Sequence, residues 1–316
     1  MREFFKKILL FLLPILILLY PLDYLISNSL KKSVVHVDGE YLVWNDIYAG
    51  KINADIAIYG SSRAWTHIDP EILKDSLGLS AYNFGIDGLN FSLQYFRHKE
   101  YFKYNKRPEI IIVSGDIFTF EEEEGFYNHE QALPYMLFNK DYFESRELFK
   151  IFEKADFFIP LKRYLGQTWE MARAAILAIG LENEPPARIK GFMGIEREWS
   201  QDLLQAIKTK GNLKIKIDYK LLCLFMKFVK ECKENNIKVI LVYSPEYIEG
   251  RTFIVNREDV LGLWYRIAAS RGLTFLDYTE DSIGKNRDYF YNSTHLNKQG
   301  SKLFSQKFAG DLKKLL

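Results

Sequence analysis

The sequence predicts an α/β protein built on a doubly wound, five-stranded parallel sheet. Three observations predict it. Short runs that are apolar throughout alternate with amphipathic helix patterns, as a sheet covered on both faces requires. Glycine, serine and aspartate gather just after those runs, where the carboxyl ends of parallel strands lie and function collects. The 316 residues are 48% hydrophobic and 27% charged, which suits one large packed domain or two small ones.

The N-terminus stands apart. "MREFFKKILLFLLPILILLYPLDYLI" has a basic head (Arg2, Lys6, Lys7) and an uncharged apolar run from Ile8 to Leu22. With its flanks the run approaches the ~20 residues that cross a bilayer. Lysines before the run predict a cytoplasmic N-terminus and a body outside the cytoplasm. The expectation is a membrane anchor over 1–33 and a juxtamembrane segment over 34–53. A cleaved signal ending near Ser27-Asn28-Ser29, which too exports the body, and a buried soluble helix are the competing readings.

From residue 54 the periodic part begins. "ADIAIY" (Ala54–Tyr59) reads as the first strand, "PEILKDSLG" as a helix ending in glycine, and "AYNFG" as a short second strand. "NFSLQYFRHKEYFKY" is an amphipathic helix with Asn90 as its candidate cap. "PEIIIVSGD" is the most strand-like run in the chain, followed much later by "IKVILVYSP" and "LTFLDY" as strands four and five. "NKQGSKLFSQKFAGDLKKLL" closes the chain as a helix that Asn297 caps. The stretch 118–211 breaks the pattern and is too long for a plain loop. It reads as a mostly helical insertion in a domain spanning 54–316. Its acidic run Glu121–Glu124 is a solvated face, and its aromatics are core or a sugar-stacking platform.

A net charge of +2 gives no electrostatic case for nucleic acid. Cys223 and Cys232 lie nine residues apart on one helix pattern, about 13 Å along its axis, too far for a disulfide. No His/Cys/Asp/Glu grouping has metal-ligand spacing and no glycine-rich phosphate loop is present, so neither a metal nor a cofactor is expected. The sequon Asn292-Ser293-Thr294 reads as coincidental in a chain of bacterial character.

Four blocks carry the chemistry. "GSSR" (Gly60–Arg63) follows the first strand, "YNFGIDG" the second, "VSGD" ends the third, and "YNSTHLNKQG" precedes the last helix. In order, spacing and placement they resemble the SGNH/GDSL hydrolases, over Ala54–Asp116 and Ile237–Leu316. The anchor, "GSSR" and "HLN" make the chain most similar to membrane-anchored members that handle acyl groups on bacterial surface polymers. The resemblance implies a flavodoxin-like sheet, Ser62 as nucleophile, His295 as its base, and an oxyanion hole from the Ser62 and Gly88 N–H groups with position 116. Ser61 takes a supporting place. A serine at a helix start is also an ordinary N-cap. Of the other histidines, His36 and His67 read as surface residues, His98 lies on a helix pattern, and His129 is an outside candidate for substrate contact. Arg63 is a candidate to hold a carboxylate or phosphate, or to form a surface salt bridge.

Two positions depart from the family. Asn292 stands where the triad aspartate is expected, and Asp116 where the oxyanion asparagine is expected. Asparagine can fix the histidine tautomer but supplies no charge. Asp116 or Asp288 is a candidate substitute carboxylate. The resemblance implies an extracytoplasmic serine esterase or O-acyltransferase acting on O-acetyl or related groups of a surface or exported polysaccharide. A transferase would need a multi-pass membrane acyltransferase as partner. The alternative is a weak or inactive SGNH-fold protein that binds or assembles polymer-modifying components. A third reading is an esterase of lipids or small esters.

Overall fold

The computed structural model describes residues 2–88, 91–122, 128–148, 151–181, 184–200, 205, 207–209 and 211–316. The chain divides into two compact units. One comprises 1–45 and 125–187, the other 46–124 and 188–316. This differs from the expected boundary at 54 and insertion at 118–211. Both ends of that insertion group with the larger unit, and Glu121 at its start bridges Ile217. Only its middle part joins the N-terminal segment.

The helices, in chain order, are α1 (Arg2–Lys31), α2 (Glu40–Tyr48), α3 (Ser62–His67), α4 (Pro70–Leu77), α5 (Phe91–Tyr104), α6 (Lys140–Glu144), α7 (Thr168–Ala178), α8 (Tyr219–Glu234), α9 (Arg257–Arg271) and α10 (Lys298–Lys313). The strands are β1 (Ile56–Gly60), β2 (Ala81–Asn83), β3 (Ile110–Gly115), β4 (Lys238–Tyr243) and β5 (Thr274–Asp277).

In the larger unit the five strands form one sheet in the order β2-β1-β3-β4-β5. Every pairing is parallel, with Ile56 opposite Ala81 and Ile110. This is the doubly wound order whose ligands sit at the carboxyl ends of β1 and β3. Alternate residues feed opposite faces. Ile56, Ile58, Ile112, Ile240 and Val242 pack with Phe304, Phe308 and Leu312 of α10. On the other face Tyr59 meets Phe84 and Phe228, and Phe91 meets Phe225. Asp69 caps α4, and Gly78 ends it in the left-handed region. Asn297 caps α10 by accepting from the Gly300 N–H at 3.0 Å. Asn90 lies outside the described residues. Both cysteines are free thiols on α8, Cys223 exposed and Cys232 buried.

The smaller unit is built on α1, which packs against α7. The side chains of Leu10, Phe11, Leu13, Ile17 and Leu18 are exposed, whereas Asp23, Ile26, Ser27, Ser29 and Leu30 are buried. Among the described residues no helix is long and apolar enough to cross a membrane. The expected spanning segment is thus not found there; the side chains of Ile8, Leu9, Leu12, Ile15 and Leu16 lie outside the described ones. Near its C-terminal end α1 is locked by a buried ion pair. Arg163 donates from Nη1 to Asp23 Oδ2 at 2.7 Å, from Nη2 to Asp23 Oδ1 at 2.8 Å, and to Ser27 Oγ at 2.9 Å. The Leu161 N–H donates to Asp23 at 2.7 Å, and Ser27 Oγ meets the Tyr164 hydroxyl at 2.9 Å.

Candidate active site

The site starts from the turn after β1. Gly60 has φ +145, and a Cβ there would lie 2.5 Å from the Ser114 carbonyl oxygen. Only glycine lets β1 leave the sheet so close to β3. Gly85 is equally confined, because a Cβ would meet the Trp65 N at 2.7 Å and the Ser61 O at 2.9 Å. The end of β2 can therefore pass directly beneath the first turn of α3. Ser61 caps that helix, accepting from the Arg63 N–H at 3.3 Å, and Ser62 is its first residue.

This places Ser62 Oγ 2.7 Å from His295 Nε2. Asn292 Oδ1 lies 2.9 Å from His295 Nδ1 and also accepts the backbone N–H of His295 at 2.9 Å and of Thr294 at 3.1 Å. Those backbone donors fix which atom of the carboxamide faces the ring. Oδ1 can only accept, so Nδ1 carries the proton and Nε2 is left to accept from the Ser62 hydroxyl. The neutral imidazole is thus in the tautomer a base requires. The Thr294 hydroxyl also approaches Nδ1, at 3.0 Å. Desolvation, and then the charge of Arg63, push the pKa of His295 down to about 3.

Several expectations are corrected. Asp116 is not a substitute partner for His295, nor a donor toward an oxyanion. Its Oδ2 accepts from the Ser61 hydroxyl, and its Oδ1 from the Phe118 N–H at 2.7 Å and the Thr119 hydroxyl at 3.3 Å. It holds the cap of α3 in place, using the carboxylate that the turn at Ile117–Thr119 needs. Asp288 is exposed, and its backbone is engaged with Asn286 and Asn297. Among the described residues no carboxylate is within hydrogen-bond distance of the imidazole. Arg63 is buried rather than free for substrate. Its guanidinium donates to the Ser244 carbonyl, stacks 4.5 Å from the Tyr243 ring centroid and lies 3.7 Å from Glu246. Gly88 has φ +62 in the turn after Ile86, whose N–H donates to the Gly60 carbonyl at 2.9 Å. His129 belongs to the smaller unit, with Nε2 3.2 Å from the Gln167 side chain.

His67 is a residue that the sequence misplaces on the surface. It is fully buried. Its Nδ1 meets Ser244 Oγ at 2.7 Å, and its Nε2 accepts the Leu296 N–H at 2.9 Å. It therefore ties α3, which carries Ser62, to the loop that carries His295. The only sequence signal is its place one helical turn and a half after Ser62, which does not distinguish it from a surface residue.

Beside Asn292 and Thr294 lies a cavity of about 220 Å³ with Ile117, Phe118, Phe253 and Ile254 as its apolar walls. Among the described residues no group of three His, Cys, Asp or Glu side chains could hold a metal ion.

Burial also sets acid stability. His98 is buried with Nδ1 2.9 Å from the Tyr59 hydroxyl, and desolvation pushes its pKa down to about 3. His67 is lowered for the same reason, with the Arg63 charge second. Unfolded chain takes up a proton on each below pH 6.5, whereas the fold resists until far lower. The contribution of His98 is therefore full above 6.5 and is lost as pH falls toward about 3, and that of His67 is lost in the same direction. The melting temperature should fall between pH 6.5 and 4.5, and His98→Gln should flatten that slope. A melting temperature constant over that window would contradict this account.

No family model and no curated protein matches the chain. Among solved structures it is similar to a candidate acylhydrolase of Bacteroides fragilis, at 13% identity and a TM-score of 0.37, covering 82% of this chain and 86% of that one. It is also similar to a GDSL-like lipase of Bacteroides thetaiotaomicron, at 14% identity and a TM-score of 0.40, covering 89% and 100%.

Proposed function

We propose that the chain is an SGNH-type serine esterase or O-acyltransferase, membrane-tethered, acting outside the cytoplasm on O-acetyl or related acyl groups of a polysaccharide. The observation that carries the reading is the unbroken hydrogen-bonded line from Ser62 Oγ through His295 to Asn292.

In this mechanism Ser62 Oγ attacks the acyl carbonyl carbon as its proton passes to His295 Nε2. The developing oxyanion takes hydrogen bonds from the Ser62 and Gly88 N–H groups, each such donor being worth about 10²–10³ in rate. The Nε2 proton then goes to the departing sugar oxygen, leaving an acyl-serine. A water or a second hydroxyl, deprotonated by His295, attacks that ester and releases the serine. Water makes the protein an esterase. A sugar hydroxyl makes it a transferase, and an acyl donor from the cytoplasmic side would require a multi-pass membrane acyltransferase partner.

The tether is supported by the exposed apolar side chains of α1 between Leu10 and Leu18. Its retention is supported by the Asp23–Arg163 pair, because cleavage near Ser27 would leave the Arg163 guanidinium buried without its carboxylate.

A fluorophosphonate probe tests the nucleophile. The expected outcome is labelling of the wild type and its disappearance in Ser62→Ala, with ester turnover lower by about 10³–10⁶. Labelling that survives in Ser62→Ala would sink the assignment. The neutral Asn292 favours one second reading, a binding protein on the same fold. An unlabelled wild type, with polymer acetylation unchanged in Ser62→Ala, would favour it.

A further inference from the structure

The line from Ser62 to Asn292 ends on a neutral group, yet the reaction makes His295 positive. The carboxylate that usually meets this charge is absent, and no other lies within hydrogen-bond reach among the described residues. The nearest charged neighbour on α3, Arg63, is positive and opposes imidazolium formation. His67, also on α3, stands edge to face at 6.1 Å and 82°, held neutral by the N–H it accepts from Leu296. Thr294 and Ser62 bring only hydroxyls. Among the described residues, one aromatic face packed on the ring answers a positive charge. The Tyr291 ring lies parallel to the imidazole, at 5.4 Å between centroids and 11° between planes. The Tyr291 N–H donates to the His295 carbonyl at 3.1 Å, which fixes the two rings in this register.

We propose that the π face of Tyr291 stabilises the imidazolium of His295 in place of the missing triad carboxylate. The proposal rests on the reading of Ser62 and His295 as nucleophile and base. An aromatic face within about 6 Å of a cation attracts it through the ring quadrupole, and more strongly when water is excluded. The imidazole is neutral before the Ser62 proton arrives and cationic afterwards. The attraction is therefore larger in the transition state than in the ground state, which is the condition for raising kcat rather than lowering KM. Arg197, 6.0 Å from the Tyr291 ring centroid, draws on the same electron density and keeps the effect modest. Tyr291 acts through His295 and is a positioning residue, not a group that touches substrate.

The test is a double-mutant cycle on hydrolysis of 4-nitrophenyl acetate by the full chain. Tyr291→Leu should lower kcat roughly two- to thirtyfold, the range expected for one cation–π contact, with KM little changed. Tyr291→Phe keeps the face and should stay within about twofold of wild type. In an Asn292→Asp background the carboxylate supplies the charge, so Tyr291→Leu should cost markedly less. Where the Leu variant does not fold, Tyr291→Met removes the face with a similar length and reads the same quantity. Equal losses in Tyr291→Phe and Tyr291→Leu, or the same loss in both backgrounds, would overturn the proposal while leaving the nucleophile assignment intact. Undiminished turnover in Ser62→Ala would overturn the assignment, and the proposal with it.

Discussion

Asn292→Asp raises ester turnover, by as much as about 10⁴ where the chemical step limits the rate, the factor that a triad carboxylate can contribute. The replacement is nearly isosteric. The new oxygen can accept the same N–H groups of His295 and Thr294 and the same ring Nδ1–H that Asn292 Oδ1 accepts now. What changes is charge. With the carboxamide, His295 has a pKa near 3 and is a weak base. A carboxylate at 2.9 Å favours the protonated ring and raises that value toward the range where a base works well near neutral pH. The pH profile of kcat/KM checks this. The wild type should be slow with an acid limb far below pH 6, and the variant faster with its limb displaced upward. An unchanged rate and limb in a folded variant would mean that something other than His295 basicity sets the rate.

Asp23→Ala should cost the smaller unit about 3–5 kcal/mol, because it strands a buried guanidinium. Arg163 makes two charge-assisted bonds to Asp23, and both side chains are almost fully buried. The Leu161 N–H and Ser27 lose an acceptor at the same time. Hydrogen exchange of the full chain reads the result by segment. Protection should fall at 128–181 and persist in the sheet strands. Replacing both partners with apolar residues, as in Asp23→Leu with Arg163→Met, should recover most of it, since the cost lies in the unpaired charge. Unaltered protection in Asp23→Ala would show that the pair is dispensable.

The sheet was legible because a strand buried on both faces must be apolar throughout, and "ADIAIY", "PEIIIVSGD" and "IKVILVYSP" have no other economical reading. Ser62, His295 and Asn292 are legible through the resemblance of four sequence blocks to the SGNH/GDSL hydrolases, and the structure brings the three side chains into one hydrogen-bonded line. Asp116 stands out in the sequence as a departure, but its pairing with the Ser61 hydroxyl depends on a rotamer. Burial of Arg63 and His67 depends on Tyr243, Ser244 and Leu296, far away in sequence, and such contacts leave no periodic trace. The two-unit division was hidden for the same reason. Asp23 and Arg163 are 140 positions apart, and nothing local to either signals the other.

Ser62 and His295 are separated by 233 positions. On a ribosome the nucleophile therefore emerges long before its base. At 5–20 residues per second the interval is roughly 10–50 s. Throughout it the turn holding Ser62 lacks both the acceptor at Nε2 and the last helix that covers one face of β1. A nascent chain thus carries Ser62 without its hydrogen-bond acceptor until the segment holding His295 arrives. The Ser62–His295 pair therefore assembles only late in synthesis, at a time set by the order of the blocks along the chain.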